Sequence, residues 1–309
     1  MSFTQEVKQE IIGLETLETE KISELSAIIH NSIITENCIR IISENNSVIR
    51  YIFSLVKDIY QVTPKVIVRR GYNYKKNYIY ILEIYNKFDD ILSDLGIEKN
   101  NRILPIPEDY IIDDDSLLRK YLTGVFLITG SINDPKKSRY HLEFLVNNKE
   151  YSEFLKNLLN KFNLNSKTIK RETKYMVYIK EAEKIGDFLR LINATKSLLY
   201  YEDIRIYRDH KNMTNRLNNC EQANVDKIIS VANSQINDIK TITDIGSLDL
   251  LDEKEQIVAK YRLKYPDASL LELSEIISLE TGKPLTKSGV NHRMKKIKLL
   301  AEKIRKNEK

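Results

Sequence analysis

The stretches YQVTPKVIVR (Tyr60–Arg69) and FNLNSKTIKR (Phe162–Arg171) follow one pattern. An aromatic residue comes first, then Val62 or Leu164, then Lys65 or Lys167, Ile67 or Ile169, and Arg69 or Arg171, at a constant offset of 102 residues. Elements order themselves alike around both stretches. Upstream, helical spacing of Val48, Ile52, Leu55, Val56 and Ile59 predicts a helix over 45–60, and its counterpart runs over 151–162. Before these helices come strands near 38–42 and 140–146, and before the strands, helices over 24–32 and 117–128. Downstream, β-rich runs predict hairpins over 65–85, with Gly71 and Asn73 as turn formers, and over 167–180. Helices near 88–95 and 182–192 close the two units. The opening helices match at an offset of 97, Leu25 onto Leu122, so the second copy has a first hairpin longer by five residues. Two αββαββα units, about 20–98 and 117–195, predict a duplicated α+β domain over residues 1–200.

Composition narrows the chemistry. The 309 residues, 42% hydrophobic and 30% charged, suffice for two or three folded domains rather than a disordered tail. Among nine glycines the closest pair is Gly124 and Gly130, so neither GxGxxG nor GxxxxGK[ST] can be written, which excludes the usual dinucleotide and P-loop sites. Cys38, Cys220 and the scattered His30, His141, His210 and His292 form no CxxC or HxxxH, so neither structural zinc nor a disulfide framework is expected. No cofactor is expected. Without an apolar run near 18 residues or a leader pattern, the expectation is a soluble, cytoplasmic protein with no membrane partner.

Charge is unevenly placed. From Lys283 to Lys309 stand ten Lys or Arg against two acidic residues, a net +8, so the preceding 282 residues carry −3 of the chain's total +5. A cationic C-terminus reads as a nucleic-acid arm or as a solvated helix end. Local signals favour the first. Residues 201–224, dense in Asn and Arg, read as a connector, followed by a helix over 223–238; together 201–240 form a linker. Residues 241–309 then read as three helices. The first, over 248–265, stops at Pro266. Ser269-Leu270-Leu271-Glu272 is a capping box opening the second, which Gly282 and Pro284 end, and Thr286 or Ser288 caps the third. This is a helix-turn-helix candidate. In its last helix Lys287, Ser288, Asn291, His292 and Arg293 fill the first two turns, where a helix in the major groove meets base edges. Lys295, Lys296 and Lys298 suit phosphates, and Val290, Met294, Ile297 and Leu300 make the apolar stripe.

LTGVFLITG (Leu122–Gly130) resembles the signature of LAGLIDADG homing endonucleases, keeping Leu122, Gly124 and Gly130; the first copy, Leu25 to Ile33, is weaker, with Ala27 at the first glycine position. The resemblance implies two helices packed at a pseudo-twofold axis, each ending in an acidic metal ligand, and sheets that saddle DNA. Here those acidic positions hold Ser32 and Thr129. Two hydroxyls lack the charge to hold a divalent metal, so catalytic residues and metal ligands are expected to be absent. SFTQEVKQEI, YLTGVFLITGSINDPKKSRYHLEF, NRLNNCEQAN and TKSGVNHRMKKIKLLAEKIR together resemble the WhiA family of bacterial sporulation and cell-division regulators, over nearly the whole chain. That resemblance implies a degenerate LAGLIDADG domain joined to a helix-turn-helix similar to the promoter-reading domain of sigma factors. It also implies a nucleoid-associated, non-enzymatic regulator of division, chromosome segregation or sporulation genes, bound to double-stranded DNA and, as further partners, to transcription or division proteins. The departure is Ser32-Ile33, where the family usually has Asn-Gly. An endonuclease with relocated ligands, Asp134 among them, and a protein-interaction scaffold are the alternatives.

A second DNA face is a candidate on the first hairpin, where Arg69, Arg70, Lys75 and Lys76 interleave with Tyr72, Tyr74 and Tyr78; protein contact and cross-strand packing are the competing readings. Lys167, Lys170, Arg171 and Lys174 repeat the pattern. In the connector, Arg216, Asn219, Cys220, Glu221 and Asn224 belong to the family-specific run, and their spacing carries no chemistry. Asp113-Asp114-Asp115 reads as charge offsetting a helix dipole.

Overall fold

A capping box between Ser2 and Gln5 opens α1 (Phe3–Ile11), an element absent from the expected repeat. The structure is a computed structural model that describes residues 2–70, 78–137 and 139–307. It divides into two units, Met1–Arg208 and Asp209–Lys309. In the first unit α1 is followed by α2 (Glu18–His30), β1 (Ile33–Thr35), β2 (Cys38–Ser43), α3 (Asn46–Tyr60), β3 (Lys65–Arg70), β4 (Tyr78–Ile84) and α4 (Phe88–Asp94). A small hairpin, β5 (Glu98–Lys99) and β6 (Arg102–Ile103), and a 3-10 turn at Asp109–Ile112 lead to the second copy. That copy comprises α5 (Asp115–Thr129), β7 (Gly130–Ile132), β8 (Leu142–Val146), α6 (Lys149–Lys161), β9 (Lys167–Arg171), β10 (Lys174–Ile179) and α7 (Ala182–Leu191). Each copy is αββαββα, as the repeat predicts.

The sheets run β1-β2-β4-β3 and β7-β8-β10-β9, antiparallel throughout and identical in order. Alternation places Ile39, Ile41, Leu82 and Ile84 of the first sheet, and Leu142, Phe144, Val177 and Ile179 of the second, in the core. Asp114 caps α5 by accepting from the Leu117 amide at 2.8 Å, so part of the acidic run serves the helix start. The extra residues of the second copy lie between β7 and β8, where the Asn133 amide donates to the His141 carbonyl at 2.9 Å.

The helix pair α2 and α5 meets where small residues were expected. A β-carbon on Gly124 would stand 2.3 Å from the Glu24 carbonyl oxygen and 2.9 Å from the Ala27 β-carbon. Close backbone approach buries Glu24 of α2, and His30 at the end of the same helix is half-buried. Burial pushes the Glu24 carboxyl up to about 7, against the Tyr51 hydroxyl that donates to it at 2.8 Å and against Lys120, with Glu20 adding to the rise. Burial pulls the His30 imidazole down to about 4, opposed by its hydrogen bond to the Pro105 carbonyl at 3.0 Å. The signs oppose. Glu24, raised from 4.5, contributes stability at low pH that is lost as pH climbs through about 7. His30, lowered from 6.5, contributes stability at neutral pH that is lost as pH falls through about 4. The Glu24→Gln variant, compared with the unaltered protein in melting temperature across pH, is therefore expected to gain at pH 8 and to show little gain at pH 4. Equal differences at both pH values would contradict the assignment.

Two expectations are corrected. Residues 201–224, expected as a connector ahead of a separate helix over 223–238, lie within α8 (Thr195–Asp244), a single 50-residue helix. No Gly or Pro interrupts it before Gly246, and local pairs such as Glu202–Arg205 (2.6 Å) and Gln222–Asp226 (2.9 Å) support it where its residues are largely exposed. The helix expected over 248–265 starts only at Glu253, because Leu248–Leu250 forms a 3-10 turn and Asp252 is the N-cap. The second unit continues with α9 (Glu253–Lys264), α10 (Leu270–Thr281) and α11 (Lys287–Asn307), packed with the C-terminal part of α8 around Ile239, Ile242, Val258, Leu273, Val290 and Ile297.

Candidate nucleic-acid interface

The sequence of α10 dictates both its ends. Ser269 and Glu272 exchange hydrogen bonds in the capping box, and Gly282 stops the helix at φ 67°, a left-handed conformation that costs glycine little. The turn to α11 is set by Ser278, whose hydroxyl accepts from the Leu285 amide at 2.9 Å, and by Thr286, which caps α11 through the Gly289 amide at 3.1 Å. On the other side the wholly buried Arg262 ties α9 to the start of α10: its Nη1 donates to Ala268 O at 2.6 Å and to Tyr265 O and Pro266 O at 3.4 Å.

Val290, Met294 and Ile297 are buried and Leu300 half-buried, as the apolar stripe predicts. At about 100° per residue, Lys287, Ser288, Asn291, Lys295 and Lys298 fall within an arc of roughly 100° and all are exposed. His292 is exposed at the edge of that arc. Arg293 and Lys296 are not brought together with the others. Arg293 is half-buried, packed beside Gly289, and its Nη1 is buried without a hydrogen-bond partner. Lys296 reaches Glu255 at 2.9 Å and Asp252 at 3.8 Å, so it is a strut between α11 and α9. Nothing local in the sequence signals that pairing, because its partners lie some forty residues away.

The first unit distributes its candidates differently. Arg70 pairs with Tyr78 and Arg69 with Ile79, which puts the two arginines on opposite faces of β3. Lys75, Lys76, Tyr72 and Tyr74 lie outside the described residues. On the sheet's outer face the register instead aligns Ile42, Ile81 and Ile67 in one row, beside the row Arg40–Glu83–Lys65. The second sheet repeats this with Leu145, Met176 and Ile169, while Lys167, Arg171 and Lys174 share that outer face and Lys170 does not. Both outer faces are thus apolar at the centre and charged at the rim. At the helix ends, Ser32 Oγ donates to the Ile28 carbonyl at 2.7 Å and Thr129 Oγ1 to the Val125 carbonyl at 2.8 Å, each folded back on its own helix. Asp134 accepts from the Lys136 amide at 2.9 Å and stands 3.7 Å from Lys137, which makes it a turn residue. Among the described residues no cluster of His, Cys, Asp or Glu could hold a metal ion. Arg216, Asn219, Cys220, Glu221 and Asn224 are exposed along α8.

Three domain families match in order: the WhiA N-terminal LAGLIDADG-like domain over residues 18–98, the WhiA LAGLIDADG-like domain over 118–211 and the WhiA C-terminal HTH domain over 214–301. Among relatives, the "Probable cell division protein WhiA" of Staphylococcus haemolyticus is 42% identical, covering 100% of this chain and 99% of its own. That of Pediococcus pentosaceus is 41% identical, covering 99% and 100%. This chain belongs to the WhiA family. The crystal structure of full-length WhiA from Thermatoga maritima is similar at 26% identity and a TM-score of 0.58, covering 98% of this chain and 99% of that one. As a WhiA family member the chain combines a duplicated LAGLIDADG-like part with a helix-turn-helix, the α+β plus all-α architecture expected from its repeats and capping signals. The helix pair of this WhiA chain carries hydroxyls, not carboxylates, at the two equivalent helix ends.

Proposed function

We propose that this chain is a sequence-specific DNA-binding transcriptional regulator of genes for cell division, chromosome segregation or sporulation, without nuclease activity, working in the cytoplasm in association with the nucleoid. DNA reading is assigned to residues 241–309. The observation that carries the reading is the exposed arc of α11, in which Ser288 and Asn291, polar groups suited to base edges, are framed by Lys287, Lys295 and Lys298. His292 is exposed beside it, while Arg293, half-buried, lies off the arc. The back-bonded Ser32 and Thr129 support the absence of cleavage chemistry, since neither offers a charged metal ligand. Among the described residues no helix is long and apolar enough to cross a membrane.

Footprinting of the full chain on genomic fragments tests the reading. Asn291→Ala is expected to lower affinity for the protected site by about 1–3 kcal/mol while leaving unrelated DNA unaffected. Lys295→Ala is expected to weaken every sequence alike and to flatten the salt dependence by about one unit of slope. An unaltered footprint in both variants sinks the assignment. Metal-dependent nicking of supercoiled plasmid that disappears in Asp134→Asn would instead favour an endonuclease. The apolar rows on the two outer sheet faces favour a second role for the duplicated part, contact with transcription or division proteins.

A further inference from the structure

Beside the first turn of α10 lies a cavity of about 250 Å³, lined by Lys227, Val231, Arg262, Ser269, Leu270 and Lys287 among others, with no carboxylate in its wall. Arg262 is 1% exposed. Its Nη1 is committed to three carbonyls, yet its buried Nε has no hydrogen-bond partner. A buried guanidinium N–H without an acceptor is costly, which points to an acceptor arriving from outside. The 12-residue helix α10 adds its own demand. Ser269 satisfies the Glu272 amide, and the Glu272 carboxylate is turned onto the Ser269 amide at 2.7 Å, but the amides of Leu270 and Leu271 have no intrahelical acceptor. Two exposed ammonium groups on the same wall, Lys227 and Lys287, come from different helices. Cations, free amides and the positive end of a helix dipole converge on one small cavity.

We infer that this cavity seats one phosphate of the DNA backbone. The inference rests on the DNA-binding reading and names a contact that shares only Lys287 with the α11 arc: the first helix of the two-helix motif meets the backbone while the second lies in the groove. Lys227, on α8 and remote in sequence from the cationic tail, becomes a DNA ligand. It confers affinity and register, not sequence choice.

Lys227→Gln and Lys227→Arg in the full chain, titrated onto labelled duplexes of preferred and unrelated sequence over a salt series, test this. The Gln variant is expected to bind both duplexes more weakly by a similar factor, with the slope of log K against log salt smaller by about 0.9; the Arg variant keeps the slope. A steep, unchanged slope in Lys227→Gln overturns the phosphate seat and leaves the DNA-binding reading standing. Absence of salt-dependent binding by the unaltered protein overturns both. Stabilisation of the free protein by inorganic phosphate that Lys227→Gln abolishes, with the DNA slope unchanged, would give the cavity to a small phosphate ligand and overturn the DNA assignment.

Discussion

Replacing Gly124 by leucine is expected to lower the melting temperature of the duplicated unit by about 10 °C, from a loss near 4 kcal/mol. The first atom added would stand 2.3 Å from the Glu24 carbonyl oxygen, and the obstacle is backbone, so no rotamer relieves it. The two helices must separate, and separation opens the core on both sides of the crossing, where Leu25, Ile28, Leu122 and Val125 are wholly buried. Even Gly124→Ala meets the same oxygen, so it should fall between. Scanning calorimetry of the purified variants measures this directly. A shift below about 3 °C for the leucine variant would mean that the helices pack with more slack than the crossing allows.

The second large effect is expected at Arg262. Truncation to alanine removes a charged donor from three carbonyls, leaves a void beside α9 and unfastens the start of α10, a loss of about 3 kcal/mol in a unit of 101 residues. Amide hydrogen exchange should show the loss as reduced protection in α9 and α10, with α5 and α6 unaffected. Lysine in place of Arg262 keeps charge but not the planar fork and is expected to restore only part of the protection. Protection equal to that of the unaltered protein in the alanine variant would show that the turn holds itself.

The repeat was legible because its two copies carry the same residues at the same spacing, Lys65, Ile67 and Arg69 against Lys167, Ile169 and Arg171. The two-helix motif was legible because capping is local: Ser269, Glu272 and Gly282 announce their roles within one or two turns. Long-range roles were not. Arg262 has no local signal for its role, which appears only when the fold curls three carbonyls around it, and Lys296 reads as a phosphate ligand until α9 brings Glu255 to 2.9 Å. The long helix α8 is hidden by its low hydrophobicity, although no helix breaker interrupts it. Ser2-Phe3-Thr4-Gln5 carried a capping-box signal for α1, but where α1 docks depends on Thr4, which bridges to Ile132 through bonds of 2.8 and 2.9 Å.

Near the end of α1, the Glu10 carboxylate accepts from the amides of Lys196 and Ser197 at 2.6 and 2.9 Å, capping a helix that begins 185 residues later. During synthesis, therefore, α1 must wait for α8. Its cap has no partner until the whole duplicated body has left the ribosome, and closing so long a loop is slow compared with forming any single hairpin. Residues remote in sequence thus supply a late fastening of the unit.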